Sequence, residues 1–261
     1  MYRAVVFFDL DGTLYADDKT LPACNLSAIK RLRANGVLSV ITTGRDLWEI
    51  DTLMAVTKIS TIVAGNGATV RFNNRTVGQH YIPATTVTRI TAATRRDRIT
   101  TAYYNEHHAV LSGTDDLTQA NYADVQQAVP VVNPDFDPAT PVTRMLLFIG
   151  NDEAGNRVKS AYQQEFPEMA FYRDSPYDVD TISKDTSKAS GIAELLEQPD
   201  LHGVPTYAFG DADNDLPLLA AVDHPVAMQN GTHKARHSAE FVTADNMHKG
   251  IPKGLRHFGL I

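Results

Sequence analysis

The sequence predicts a doubly wound, mostly parallel α/β core interrupted by an inserted α+β domain, and three observations predict it. Short apolar runs end abruptly at polar residues: Ala4–Phe8 at Asp9, residues 37–41 at Thr42-Thr43-Gly44, and residues 206–209 at Gly210-Asp211. Helical periodicities lie between these runs, which are apolar at nearly every position, as strands covered on both faces are. From residue 83 to 182 the pattern changes to short strands separated by Pro, Asn and Asp turns, and core-type pattern resumes afterwards.

Taken in order, Ala4–Phe8 reads as the first strand. Asn25 then caps a helix carrying Leu26, Ile29 and Leu32, with Gly36 as its stop. The strand at 37–41 leads to a helix with Leu47, Ile50, Leu53 and Met54 on one face. The insertion holds helices near 86–96 and Glu153–Glu165, and strands at Thr101–Tyr104, 109–112, 145–149 and 170–172. A helix with Ile192, Leu195 and Leu196 and the strand at 206–209 close the core.

Composition narrows the function classes. At 261 residues the chain is ample for a buried core. Its 24 Lys and Arg against 31 Asp and Glu give a net charge of −7, which argues against a nucleic-acid partner, because phosphate backbones call for a clustered positive surface. The lone Cys24 excludes an intramolecular disulfide framework. No apolar run approaches the roughly 18 residues of a membrane span, and the N-terminal run is short for a signal peptide. The expectation is a cytoplasmic protein with no membrane partner.

Four pieces carry chemistry. In Phe7-Phe8-Asp9-Leu10-Asp11-Gly12-Thr13-Leu14, two carboxylates sit where a buried strand ends, the place where open α/β sheets bind ligands. Such a pair repels unless a cation intervenes, and a hard ion such as Mg²⁺ suits it, although a surface turn has the same residue types. Gly210-Asp211-Ala212-Asp213-Asn214-Asp215 repeats the placement; a solvated helix start explains one or two of its acids. Thr42-Thr43-Gly44-Arg45 offers a hydroxyl and amides suited to phosphate oxygens, and by itself it reads as a simple strand-to-helix turn. In Ser187-Lys188-Ala189, a lysine in a first helical turn opposes the macrodipole, which a nearby phosphate would explain and a solvated surface lysine would also fit. Together they describe phosphoryl transfer, with a carboxylate nucleophile, a carboxyl acid/base, and cations and amides around the phosphoryl oxygens.

In those four motifs, in that order and with an insertion between the second and third, the chain resembles the haloacid dehalogenase-like hydrolase superfamily, and within it the Cof-type phosphatases with a type-II cap. Ala64-Gly65-Asn66-Gly67-Ala68, Ala227-Met228-Gln229-Asn230-Gly231 and Lys249-Gly250-Ile251 extend the likeness, with Gly231 standing where the family commonly has alanine. The resemblance implies a Rossmann-like catalytic core at 1–82 and 183–261 and a cap at 83–182. It implies Asp9 as nucleophile and Mg²⁺ ligand, and Asp11 as general acid/base with its carbonyl on the metal. Asp211 would complete the metal ligation. Thr43, Gly44, Lys188 and Asn214 would bind the phosphoryl group, and Asp215 would orient Lys188; Asp213 has no role. The implied function is Mg²⁺-dependent hydrolysis of a small phosphorylated metabolite, a sugar phosphate or cofactor phosphate, through an aspartyl-phosphate. A sugar phosphomutase using the same intermediate and a phosphoacceptor signalling module without turnover are the alternatives; the length and the insertion argue against the second.

Other features read as structural. Five of the nine histidines fall between His224 and His257 at irregular spacing, the pattern of solvated surface residues. Arg89, Arg95, Arg96 and Arg98 read as a solvated helix face. Tyr103, Tyr104, Asn105 and His107 follow a strand of the insertion, where packing and leaving-group contact are both open.

Overall fold

The computed structural model describes residues 2–173 and 175–261. The chain forms two compact units, the first comprising the chain up to Gln79 with Ser187–Ile261, the second His80–Thr186. These bounds lie a few residues outside 83–182. Ile82 N–H donates to Val142 O (2.7 Å) and Thr186 N–H to Ser183 O (3.1 Å), which ties both flanks into the second unit.

The chain begins with β1 (Ala4–Phe8), α1 (Ala23–Ala34), β2 (Val37–Thr42), α2 (Asp51–Thr57), β3 (Thr61–Ala64), β4 (Thr69–Phe72) and β5 (Arg75–Gln79). The second unit follows: α3 (Ala84–Asp97), β6 (Thr101–Tyr104), β7 (Ala109–Leu111), α4 (Asp116–Asp124), β8 (Val131–Val132), β9 (Arg144–Leu147), α5 (Glu153–Glu165), β10 (Met169–Tyr172) and β11 (Val179–Ser183). The chain returns with α6 (Lys188–Leu196), β12 (Thr206–Gly210), α7 (Leu216–Ala220), β13 (His224–Ala227), α8 (His233–Ser238), β14 (Phe241–Val242) and α9 (Gly250–His257).

The sheet of the first unit has the order β14-β13-β12-β1-β2-β3-β4-β5. It is parallel from β14 to β3, and β4 and β5 add an antiparallel edge. The unbroken apolar character of β1 follows from its place near the middle. Ala4, Val6 and Phe8 pack on one face with Ile29 and Leu32 of α1, Leu53 of α2 and Ile251 and Leu255 of α9. Val5 and Phe7 pack on the other with Ile192 and Leu195 of α6, Leu218 and Leu219 of α7 and Ala235 of α8. Helices on both faces make the predicted doubly wound core. The carboxyl ends of β1, β2 and β12, adjacent in register, present Asp9, Thr43 and Asp211 together.

The second unit's sheet, β10-β11-β9-β6-β7-β8, is antiparallel except for the β7–β8 pair. Val87, Ile90 and Ala93 of α3 and Tyr162 of α5 cover one face over Tyr103, Met145, Leu147 and Val179. Among the described residues, no helix is long and apolar enough to cross a membrane.

Three local readings change. Asn25 lies inside α1, whose N-cap is Pro22; its buried amide donates to Leu14 O (2.9 Å), so it ties the helix to the turn after β1 instead of capping it. The helix carrying Leu47 and Leu53 is a 3₁₀ turn at Leu47–Ile50 running into α2. Strand β11 and helix α4 lack the periodicity that would reveal them: β11 reads Val-Asp-Thr-Ile-Ser and buries Asp180 and Thr181.

Candidate active site

Asp9 follows β1 directly, and its N–H donates to Phe209 O (3.0 Å), binding the ends of β1 and β12 together. A single wide turn over Leu10–Leu14 carries the chain away, closed by the Tyr15 N–H bond to Leu10 O (2.9 Å). Gly12 takes φ +80° there, and an added Cβ would collide with the Asp211 carboxylate. Only glycine lets the turn and Asp211 approach so closely. Thr13 Oγ1 donates to Asp211 Oδ1 (2.8 Å), fixing that carboxylate.

Ser187 caps α6 by accepting from Ser190 N–H, which places Lys188 in the first turn. Its ammonium is buried and donates to Asp9 Oδ1 and Asp215 Oδ1, both at 2.6 Å. The lysine that opposed its own helix dipole is therefore held by two carboxylates. Asp215 accepts on its other oxygen from the N–H groups of Asp211 (2.9 Å) and Ala212 (3.1 Å).

One oxygen from each of Asp9, Asp211 and Asp215 lies within 4.8 Å of the others, a group able to hold a metal ion. Both Asp215 oxygens accept hydrogen bonds, whereas the bonds to Asp9 and Asp211 side chains are on Oδ1. Their electrostatics point the same way. Burial, the Asp215 and Asp211 charges and only partial relief from Lys188 push the Asp9 carboxyl well above the usual range. Burial first, with Asp215 adding to it, raises Asp211 to about 6. One ammonium does not offset three carboxylates this crowded, and a hard divalent cation would supply the remaining charge. Lys188 itself is shifted up: burial alone would lower it, but Asp215 and Asp9 outweigh that.

The side chain of Asp11 stands apart from this cluster. Arg45 grips it with two bonds of 2.9 Å, from Nε to Oδ2 and from Nη2 to Oδ1, and Lys19 Nζ lies 3.0 Å from Oδ1. Burial alone would raise its pKa, yet these two cations hold it below the usual value. Neither had an assigned role in the sequence. Arg45 belongs to the motif at 42–45, but its partner lies 34 residues away; Lys19 reaches in from a left-handed position (φ 61°) that no pattern marks.

Thr43 is buried, with its hydroxyl accepting from Arg45 N–H (3.1 Å), and Gly44 follows it. Asn214 lies in the 3₁₀ turn Asp213–Asp215, and among the described residues its buried Oδ1 has no hydrogen-bond partner. Asp213 points out to Lys234 Nζ (2.7 Å) and Thr232 Oγ1 (2.9 Å). An added methyl at Gly231 would lie 2.8 Å from Asp211 O, so the missing alanine leaves room for that carbonyl.

The profile of the haloacid dehalogenase-like hydrolase family matches residues 6–255. The chain belongs to this family. Among the relatives of this haloacid dehalogenase-like hydrolase is the putative phosphatase YkrA of Bacillus subtilis, 27% identical over the whole of both chains. Another, 24% identical over 94% of both chains, is the B. subtilis 5-amino-6-(5-phospho-D-ribitylamino)uracil phosphatase YwtE. A hypothetical protein of Geobacillus kaustophilus HTA426 has a similar structure, with a TM-score of 0.90 and 29% identity over 99% of this chain and 100% of that one. The subclass IIB sugar phosphatase BT4131 shares the fold, with a TM-score of 0.87 and 24% identity over 99% and 100% of the two chains.

The remaining sequence features resolve structurally. Tyr103 is buried and stacks on Phe136 at 4.0 Å, and Tyr104 is buried with its hydroxyl 2.7 Å from that of Tyr122. Asn105 Oδ1 accepts from the N–H groups of His107 and His108, closing a turn. Arg89 pairs with Glu168 and Arg96 with Asp97 and Glu165, while Arg95 donates to Pro134 O.

Proposed function

We propose that this haloacid dehalogenase-like phosphatase hydrolyses small phosphorylated metabolites, sugar phosphates or cofactor phosphates, through an aspartyl-phosphate on Asp9 with Mg²⁺ as its cation. The observation that carries the reading is the buried Lys188 ammonium shared by Asp9 and Asp215 beside Asp211, at the carboxyl ends of two adjacent parallel strands. The relatives named as phosphatases support the reaction. The ribityl phosphate in the name of YwtE supports a polyol or sugar leaving group.

An oxygen of Asp9 attacks phosphorus while Lys188 holds Oδ1 and so sets the carboxylate's orientation. The bond to phosphorus forms, the ester P–O bond breaks, and the leaving oxygen takes a proton from the Asp11 carboxyl. Asp11, now ionised, takes a proton from the water that attacks the aspartyl-phosphate, and phosphate leaves with Asp9 restored. The pairing with Arg45 and Lys19 favours the ionised form of Asp11 required in the second step and opposes the protonated form used in the first, so these contacts must loosen when substrate binds. Lys188, the Thr43 hydroxyl and the Gly44 N–H would stabilise the phosphoryl oxygens. Asn214 joins them: its amide oxygen and nitrogen exchange by a flip, so the unbonded position can present N–H donors to phosphate. Asp9, Asp211 and the Asp11 carbonyl would hold Mg²⁺, which when bound supplies charge neutralisation for the carboxylates and the phosphoryl group. The inserted unit is assigned the selection of the leaving group.

Release of inorganic phosphate from a panel of sugar and cofactor phosphates tests the reading. The expected result is release that requires Mg²⁺ and stops with chelator. Release indifferent to chelator, or none from any ester, contradicts it.

A pH prediction follows from Asp211. Its folded value of about 6 lies above its ordinary 3.8, so between these values the ion-free folded chain binds a proton that the unfolded chain does not. That contribution to stability is therefore lost as pH rises from about 4 to 6, and Mg²⁺ must displace the proton below 6. Calorimetric titration should show the half-saturating Mg²⁺ concentration rising at least about tenfold per unit as pH falls below 6, with proton release, because the Asp9 carboxyl is raised as well. Affinity unchanged between pH 5 and 7 would contradict it.

A further inference from the structure

We propose that the turn Gly65-Asn66-Gly67 is a positioning element that sets the two phosphate-binding elements, Thr43-Gly44 and the first turn of α6 with Lys188, against each other. The inference rests on the phosphatase reading above and assigns a role in it to residues that touch none of the reacting atoms.

Towards Thr43 the turn is joined by backbone bonds. Thr43 N–H donates to Val63 O (2.9 Å), Asn66 N–H to Thr43 O (2.9 Å) and Gly65 N–H to Arg45 O (2.9 Å). Asn66, buried and left-handed at φ 53°, places its carboxamide against Gly44, where an added Cβ would lie 3.2 Å from Nδ2. The strand ends of β2 and β3 are thereby stitched at the loop that carries the Thr43 hydroxyl and the Gly44 N–H.

Towards Lys188 the turn is joined by close packing. Gly67, at φ +100°, lies so near Ser187 that a methyl group would collide with its carbonyl oxygen and stand 2.9 Å from the carbonyl carbon. That carbonyl accepts the Gly191 N–H (3.0 Å), the first bond of the helix that carries Lys188. Gly191 returns the contact: a methyl there would lie 2.9 Å from Gly67 Cα and 2.6 Å from Val63 Cγ1. Two glycines facing each other bring the helix backbone onto the turn, and no side chain intervenes to absorb a shift. Lys188 then spans from that seat to Asp9 and Asp215 at 2.6 Å each, so a displacement of the first turn is a displacement of the ammonium. Misplacement by about 1 Å costs roughly 10²-fold in an oriented reaction.

Gly67→Ala and Asn66→Gly test the proposal in the full chain with Mg²⁺, using p-nitrophenyl phosphate turnover, inhibition by orthovanadate and thermal melting. Gly67→Ala is expected to lower kcat/KM by at least about tenfold and to weaken vanadate inhibition in parallel. The readout that separates positioning from stability is a cycle with Lys188→Ala: in that background the same substitution should cost less than about threefold, because it acts through the lysine. Equal losses in both backgrounds, or a variant within about twofold of wild type, overturn the proposal. Asn66→Gly keeps the left-handed backbone and its N–H while removing the carboxamide from Gly44, and it carries the test if Gly67→Ala does not fold. It should fold and weaken vanadate inhibition at least about threefold; unchanged inhibition overturns the proposal. A wild-type chain that releases no phosphate marks the failure of the phosphatase reading instead, and removes the basis of this one.

Discussion

Replacing Asp9 by asparagine is expected to lower turnover by at least about 10⁴-fold while leaving the fold intact. The amide is close to the carboxylate in shape, but its oxygen is uncharged and too weak a nucleophile to form the bond to phosphorus. The stability half of the prediction comes from the surroundings of the group. Asp9 is buried beside Asp211 and Asp215 and has a single ammonium, shared with Asp215, to offset three carboxylates. Burial and those like charges raise its pKa, so the ionised form is the strained one in the ion-free chain. A neutral isostere removes that repulsion at the expense of one charged contact to Lys188, and the melting temperature of the ion-free chain should hold or rise. Activity within about tenfold of wild type would remove Asp9 from the nucleophile role.

Lys188→Ala should cost about 3 kcal/mol of transition-state stabilisation, the scale of a lost electrostatic donor at a developing negative charge. It should also destabilise the ion-free chain by roughly 3–5 kcal/mol, because Asp9 and Asp215 are then left buried without their counter-charge. Lys188→Met restores most of the stem's volume, so it separates charge from packing. Both variants should lose the same activity, and any difference in melting between them reports the cavity. Mg²⁺ should recover part of the lost stability in each. An activity loss below about threefold would leave Lys188 a structural ion-pair residue.

How much of this was legible depends on whether the signal was local. The three strand ends that carry Asp9, Thr43 and Asp211 were readable because a strand buried on both faces is apolar throughout and its polar successor stands out. The double-carboxylate turn and the acid-rich run at 210–215 were readable for the same reason, as was the anomaly of a lysine opening α6. The partners that complete the geometry were not. Arg45 and Lys19 meet at Asp11, and Thr13 fixes Asp211 from 198 residues away, pairings that no spacing announces. Asn25 shows the opposite failure, since a good capping residue type was drawn inside its helix by an acceptor, Leu14 O, that only the fold supplies. Strand β11 was hidden because its buried positions include Asp180 and Thr181, which break the apolar pattern used to find strands.

The central claim is the covalent intermediate on Asp9, and reductive trapping tests it most directly. The protein is mixed with Mg²⁺ and a hydrolysed ester, quenched during turnover, treated with borohydride and digested for mass spectrometry. Borohydride reduces an acyl phosphate to the alcohol, so the account predicts homoserine at position 9, dependent on ester and Mg²⁺ and absent from Asp9→Asn. Phosphate release with an unmodified Asp9, or with reduction at another carboxylate, would contradict it.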